Sequence, residues 1–373
     1  MSNIVEHRIG LLVFSWYGHY THYARLLLEA LQPYGSVTII GPKAALTSKE
    51  FTCSFKDVKT SLKFEFIELK EAQAVCHFVR TGKYDMLFSN ELDVYWLKLL
   101  PYLLWMKMTG QMKTQICGIL ISCAFAYPEN RFFSYKSFRC FFLKNIAPII
   151  YKRIFIIDEI AFKMLQLENN KTFRLLEDPV ETPPTLSQDE LRKKIGWNLH
   201  DRILLVIGVI IPVKRIDLLL HAFLSSKPSV NQKLIIVGSF VKGLYDDFSI
   251  ICQSSDYREN VVLEDRWLTD DEITTYISAA DYIAVTYPNH FSNASILFRA
   301  MKAGKMTLLS NQGWIGRYST IHKCGLACPV ESAEDFQKSV KLLFSLEQSQ
   351  KPKPPSWHNE NTFIKDIQKN LFD

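Results

Sequence analysis

Short aliphatic runs alternating with helical periodicity constrain this 373-residue chain more than any other feature. A brief continuous apolar run bounded by turn residues reads as a strand buried on both faces. Such strands belong to parallel sheets, whose crossovers are helices. Ile9-Gly-Leu-Leu-Val-Phe14 is the first run. A Gly-containing turn follows, then a helix that Thr21 would cap, with Leu27, Leu28 and Leu31 on its apolar stripe. Residues 36–40, 63–69, 85–89, 117–123 and 153–157 continue the series. Asp178-Pro-Val-Glu-Thr-Pro-Pro184 breaks it, because prolines this dense fit neither a helix nor a central strand. The series restarts at 203–207, 233–237, 261–263, 282–285 and 306–309, with a helix over about 215–223. The pattern predicts an α/β protein of two Rossmann-like doubly wound domains facing a cleft, over residues 1–182 and 183–348. A spacer and docking helix over 349–373 would complete it. Ligands of such sheets bind outside the carboxyl ends of the strands, here toward the expected cleft.

Composition narrows the function classes. With 48% hydrophobic and 22% charged residues the chain is globular. Its net charge of +6, from 44 basic and 38 acidic residues, is too small to argue for nucleic acid. The first eight residues contain an acid and no apolar stretch, so no secretory leader is expected there. No window approaches the roughly 20 apolar residues of a spanning helix. The eight cysteines contain no Cys-x-x-Cys pair and read as reduced, cytosolic, buried thiols. Cys324 with Cys328, or Cys117 with Cys123, is the alternative of a ligand or redox pair. A dinucleotide-binding Gly-x-Gly-x-x-Gly, a phosphate loop, His-Glu-x-x-His and Gly-x-Ser-x-Gly are all missing. Their absence weakens dehydrogenase, ATPase, metalloprotease and serine-hydrolase readings.

The chemistry concentrates in the second half. Ile207-Gly-Val-Ile-Ile-Pro-Val-Lys-Arg215 joins a strand, ending at Gly208, to a helix through a loop with two cations, Lys214 and Arg215. Later, Ala280-Asp281 leads a strand. His290-Phe-Ser-Asn-Ala-Ser295 then runs into the helix of Arg299-Ala-Met-Lys-Ala-Gly304. Ser292 or Asn293 would cap that helix. The free N–H groups there, around Ser292, Asn293, Ala294 and Ser295, would hold a diphosphate with help from Lys214 and Arg215. Taken singly, each feature also fits an ordinary capped helix and a solvated Lys-Arg pair.

Together these segments resemble the C-terminal half of GT-B glycosyltransferases, specifically the large retaining family four, over about residues 203–343. Lys214 matches that family's phosphate-binding Lys, Asp281 its Ala-Asp, and residues 299–304 its Glu-Ala-Met-Ala-x-Gly. Three departures stand out. The family's first Glu, which contacts the donor sugar, falls on Phe291; the second, which contacts the ribose, falls on Arg299. The Arg that follows the family's strand-ending Gly is Val209. Arg299 would pair with phosphate instead, or sit as a surface helix Arg.

The resemblance makes the first half the acceptor side. In Ser15-Trp-Tyr-Gly-His19, Gly18 would let backbone approach a pyrophosphate, and His19 is the first catalytic candidate; a loop histidine contacting backbone is the alternative. His290 is the second candidate. Asn90, Glu91 and Asp93 follow a strand end, where an acid would replace the missing Glu or merely start a helix. No metal is expected, since helix dipoles and cations neutralise the leaving diphosphate in this fold and no Asp-x-Asp occurs. From Arg131 to Arg153 bases and aromatics mix without an acid. Such a stretch suits the surface of an anionic bilayer, or a buried helix with snorkelling Lys and Arg. The expected function is hexose transfer from a nucleotide diphosphate sugar to a saccharide, lipid-linked or small-molecule acceptor, with retention. The expected location is cytoplasmic, peripheral at the inner face of a membrane, with no nucleic acid partner and no cofactor. The rival is a non-catalytic GT-B-like protein that binds a sugar nucleotide or a partner enzyme.

Overall fold

A computed structural model describes residues 6–16, 19–44, 48–56, 58, 62–68, 70–93, 95–127, 135–346 and 359–372. The side chains of His19, Glu50, Glu71 and Tyr135 are excluded. The chain divides into two compact units, residues 1–179 with 359–373, and residues 180–358. The boundary at Pro179 lies in the proline-rich break.

The strands of the first unit are β1 (His7–Leu12), β2 (Gly35–Gly41), β3 (Lys63–Phe66), β4 (Met86–Ser89), β5 (Gln115–Leu120), β6 (Arg153–Ile156) and β7 (Phe173–Leu175). All pair in parallel, in the order β3-β2-β1-β4-β5-β6-β7. Strand β7 is too short and mixed, as Phe-Arg-Leu, to stand out in the sequence. The helices are α1 (His19–Leu31), α2 (Lys49–Phe55), α3 (Glu71–Thr81), α4 (Trp96–Met108), α5 (Tyr135–Asn145), α6 (Ala147–Ile150) and α7 (Glu159–Met164). Thr21 does not cap α1. It lies inside the helix and is fully buried, because the helix already begins at His19.

The second unit carries α8 (Gln188–Ile195), β8 (Arg202–Ile207), α9 (Ile216–Ser225), β9 (Gln232–Gly238), α10 (Leu244–Gln253), β10 (Val261–Asp265) and α11 (Asp270–Ala279). It continues with β11 (Tyr282–Val285), α12 (Ser295–Lys302), β12 (Met306–Ser310), α13 (Gly313–His322), β13 (Leu326–Cys328) and α14 (Ala333–Ser345). Its parallel sheet has the order β10-β9-β8-β11-β12-β13. The last helix, α15 (Glu360–Phe372), returns to the first unit. There Phe363, Ile367 and Leu371 join the core of β1, α1 and β2, and Tyr23 stacks on Phe363 at 5.8 Å. Burying three such side chains contributes roughly 1.5–3 kcal/mol each.

A buried ion pair fastens the amino ends of β8 and β11. Arg192 of α8 meets Asp281 at 2.5 Å, and both side chains are almost fully buried. Asp281 also accepts from the backbone N–H of Ile203 at 2.8 Å and from Gln188 Nε2 at 2.9 Å. Arg192 spends its remaining donors on the carbonyls of Ala279, Leu199 and Asp201. Every charged atom therefore has a partner, which a buried pair requires. Asp281→Ala would leave the guanidinium buried and unpaired. Its expected cost is about 3–5 kcal/mol, visible as a large fall in Tm by calorimetry; an unchanged Tm would show that the pair does not anchor the unit.

Candidate functional site

Strand order in the second sheet reverses between β8 and β11, whose neighbours lie on opposite sides. Loops leaving two such strands diverge, so their carboxyl ends open a crevice. The loop after β8 starts at Gly208, with φ 102°, and is tied to the loop after β9. Gly208 N–H donates to Val237 O at 3.1 Å, Ile210 N–H to Ser239 O at 2.9 Å, and Val241 N–H to Ile210 O at 3.1 Å. The two backbones come so close that a Cβ on Gly238, itself at φ 145°, would lie 1.8 Å from Gly208 O. Only glycine fits there. Pro212–Lys214 then make a single 3₁₀ turn, and Arg215 takes a left-handed φ of 51° to enter α9.

Lys214 reaches across the crevice to the loop after β11. Its Nζ stands 4.7 Å from the centroid of the Tyr287 ring, a cation–π distance. Tyr287 in turn meets His290 edge-on at 5.6 Å. The His290 ring closes a short turn, with Nε2 3.3 Å from Asn293 O and 3.0 Å from Ser292 Oγ. A carbonyl only accepts, so the proton on Nε2 faces Asn293 O. The carbonyl of His290 accepts from Trp314 N–H at 2.6 Å, which fixes the loop to the start of α13. Burial, with the Lys214 charge as a further cause, holds His290 below its usual pKa; the bond to Asn293 opposes this.

Neither Ser292 nor Asn293 caps α12. The N-cap is Ala294, without a side-chain bond, because Ser292 is engaged with His290 and the helix starts only at Ser295. The first turn of α12 contains no acid, whereas α11 opens on Asp270, Asp271 and Glu272 behind a Thr269 cap. The positive end of the α12 dipole is thus not neutralised by its own sequence, and it stands in the same loop as Lys214's partner Tyr287. Arg215 leans toward its own Asp217 at 3.5 Å, a half-exposed pair that leaves the guanidinium free to move.

Arg299 stands elsewhere in the energetics. It is nearly buried and donates to both oxygens of Glu181, at 2.8 and 2.6 Å, and to Asp270 Oδ1 at 2.7 Å. Burial disfavours its charge, yet the two carboxylates more than offset that and raise its pKa above the ordinary arginine value. The phosphate partner expected for Arg299 would compete with a bidentate clamp. That clamp joins α12 to the start of α11 and to the chain entering the unit. Asp281, the Ala-Asp match, works at the amino edge of the sheet, as described above.

In the first unit the reversal falls between β1 and β4. Ser15, after β1, donates to Glu91, after β4, at 2.7 Å. Asn90 is buried and donates to Tyr20 O at 3.2 Å. Asp93 accepts from the backbone N–H groups of Ile121 and Ser122 at 2.8 and 2.7 Å. Burial pushes its pKa up to about 7 against those bonds. A carboxylate committed to two backbone donors positions the β5 loop and has little left for a sugar, so of the two acids Glu91 keeps the freer place. Gly18 lies outside the described residues, as does the His19 side chain; His19 itself opens α1. All eight cysteines are free thiols; burial raises Cys324 to about 11 and Cys328 to about 12, which makes them inert at neutral pH. Tyr287 and Ser15 carry no motif; only their places just past strand ends signal them.

Residues 187–355 match the family model for glycosyl transferases group 1. No curated protein sequence matches the chain. Among solved structures, a glycosyltransferase from Rickettsia africae aligns at TM-score 0.68 and 12% identity, over 99% of each chain. HepE from Anabaena in complex with UDP-glucose aligns at TM-score 0.65 and 13% identity, over 98% of this chain and 99% of that one. The sucrose-phosphate synthase of Thermosynechococcus elongatus aligns at TM-score 0.66 and 14% identity, over 98% and 95%. The fold is therefore GT-B, built from two parallel-sheet α/β domains.

Because the folded pKa of His290 is depressed, its neutral form favours the native state. That contribution is complete above the unfolded value near 6.5 and is lost as pH falls below it. Thermal melts between pH 7.5 and 5 should therefore show a steeper fall of Tm for the parent than for His290→Gln. Parallel curves would remove His290 as a coupled group.

Proposed function

We propose that this protein is a glycosyltransferase that moves a hexose, with retention, from a nucleoside diphosphate sugar to an acceptor. UDP is the donor nucleotide we favour, because the similar HepE is described with UDP and with UDP-glucose. One observation carries the reading: Lys214 spans the strand-order reversal beside the acid-free start of α12, within the segment that matches glycosyl transferases group 1.

Cleaving the bond between the anomeric carbon and the diphosphate oxygen leaves charge on the diphosphate. A fixed ammonium and helix N–H groups around Ala294 and Ser295 are suited to receive it without reorganisation, and the Arg215 guanidinium would turn from Asp217 to join them. The cation–π contact holds Lys214 in place without neutralising it, as a carboxylate partner would. The histidine of this loop, His290, is pushed toward its neutral form by burial and is bonded to the loop itself, so it positions Ser292 and Asn293. His19 remains our candidate for the transfer step. His19→Ala should abolish transfer while leaving affinity for the nucleoside diphosphate near the parent's.

A second reading, a sugar-nucleotide binder without transfer, is favoured by Phe291 standing where the resembling family has its sugar-contacting Glu. Assays of transfer and of donor hydrolysis separate the two readings. For the enzyme, Lys214→Ala should cost about 2–4 kcal/mol of transition-state stabilisation, roughly a 30- to 1,000-fold loss in kcat/KM, with Tm unchanged. Undiminished turnover would exclude Lys214 from the site, and binding of UDP-glucose without turnover by the parent would leave the binder reading.

A further inference from the structure

Helices α4 and α5 of the first unit pack against each other and against α6. Their outward stripes are inverted relative to an ordinary surface helix. On α4 the exposed positions Lys98, Pro101, Trp105 and Met108 fall on one stripe. On α5 they are Ser137, Phe138, Phe141, Lys144 and Asn145, again one stripe. Trp105 is 52% exposed, Met108 79%, Phe138 51%, Phe141 57% and Ile149 of α6 48%. The neighbouring helix α3 shows what the same layer looks like when it merely faces water: its exposed positions include Gln73, His77 and Arg80. The C-terminal helix α15 likewise exposes Asn361, Lys365 and Lys369. Large apolar side chains gathered on adjoining helices, and not scattered singly, mark an interaction surface.

The charge around this patch selects the partner. Between Val94 and Ile157 the sequence contains a single acid, Glu129, against nine bases: Lys98, Lys107, Lys113, Arg131, Lys136, Arg139, Lys144, Lys152 and Arg153. Structure divides those bases. Arg139 lies over the Phe125 ring at 4.6 Å, and Arg153 of β6 donates to Asn370 O at 2.8 Å, so neither belongs to the outer face. Lys98, Lys107 and Lys144 are exposed among or beside the aromatics. Arg139 and Arg153, of the Arg131–Arg153 stretch, thus fall outside the outward face. It combines α5 with α4, whose composition alone reads as a core helix. Aromatic and Met side chains between lysines, with no acid in α4, α5 or α6, match the interface of an anionic bilayer: rings at the headgroup level and ammonium groups on the lipid phosphates.

We propose that α4, α5 and α6 form a face by which the first unit docks on an anionic lipid bilayer. If the glycosyltransferase reading holds, with this unit on the acceptor side, the acceptor is membrane-borne, a lipid-linked molecule presented at that surface. The docking itself does not depend on that reading, and its test requires no donor or acceptor.

The test is sedimentation of the full chain with vesicles of phosphatidylcholine, alone or with a third of phosphatidylglycerol. The parent should bind the anionic vesicles, with affinity falling steeply as salt rises. Phe138→Ser combined with Phe141→Ser should abolish binding, and each of Lys98→Ala, Lys107→Ala and Lys144→Ala should weaken it about fivefold. Lys365→Ala with Lys369→Ala, which removes charge from α15, should leave binding as in the parent. Equal binding to neutral vesicles, no binding to either, or an equal loss in the α15 variant would overturn the proposal. So would a concentration-dependent dimer that the Phe138/Phe141 variant abolishes, seen by analytical ultracentrifugation without vesicle binding. Donor binding in solution, measured by calorimetry on the same variants, should stay at the parent's value, so that failure of docking and failure of the transferase reading are told apart.

Discussion

A crossover between parallel strands must be right-handed, so a sheet that grows in both directions from its middle sends two successive loops apart at one place only. In the first sheet that place is between β1 and β4, and in the second between β8 and β11. The polar contacts with chemical interest gather at these two reversals. Ser15 and Glu91 bridge the first by a hydrogen bond, and Lys214 and Tyr287 bridge the second by a cation–π contact. The backbone approach of Gly208 and Gly238 then sets how the loop carrying Lys214 leaves its strand. The strands supply no chemistry; they decide where diverging loops leave room for it.

Two positions that carry family motifs have been put to structural use. Arg299 binds two acids, Glu181 and Asp270, so its charge is committed to partners within its own unit. Asp281 serves the opposite edge of the sheet, where it closes the amino ends of β8 and β11 against Arg192. At the β8–β11 reversal stand Lys214, Arg215 with its loose partner Asp217, and a helix start without an acid. Such a place favours an anion over a sugar hydroxyl, which is what the proposed diphosphate site requires.

Much of the architecture was legible in the residue order. Strand cores of four or more buried aliphatics announce themselves, since both faces must be apolar and the run is continuous. Ile203-Leu-Leu-Val-Ile207 and Leu234-Ile-Ile-Val237 are of this kind. The edge strands β7 and β13, three residues each, do not, because an edge strand buries less and tolerates mixed side chains. Helix starts carry a local signal where a cap residue meets an acid three positions on, as at Ser187 with Glu190 and Thr269 with Glu272. They were misleading at Thr21 and Ser292, where a suitable residue lies inside the helix or is drawn off by a histidine.

The sequence by itself determined the two parallel sheets, the break near Pro179, and the cationic loop at Lys214 and Arg215. Each of these is a local property, written in the periodicity or identity of neighbouring residues. Tertiary structure alone decided which partners those residues take. It gave Lys214 an aromatic ring, Arg299 two carboxylates, and Asp93 two backbone donors, and it turned the aromatics of α4 and α5 outward. Such pairings join residues tens to over a hundred positions apart, and their energies depend on burial and distance. Neither quantity exists until the sheets have closed around them.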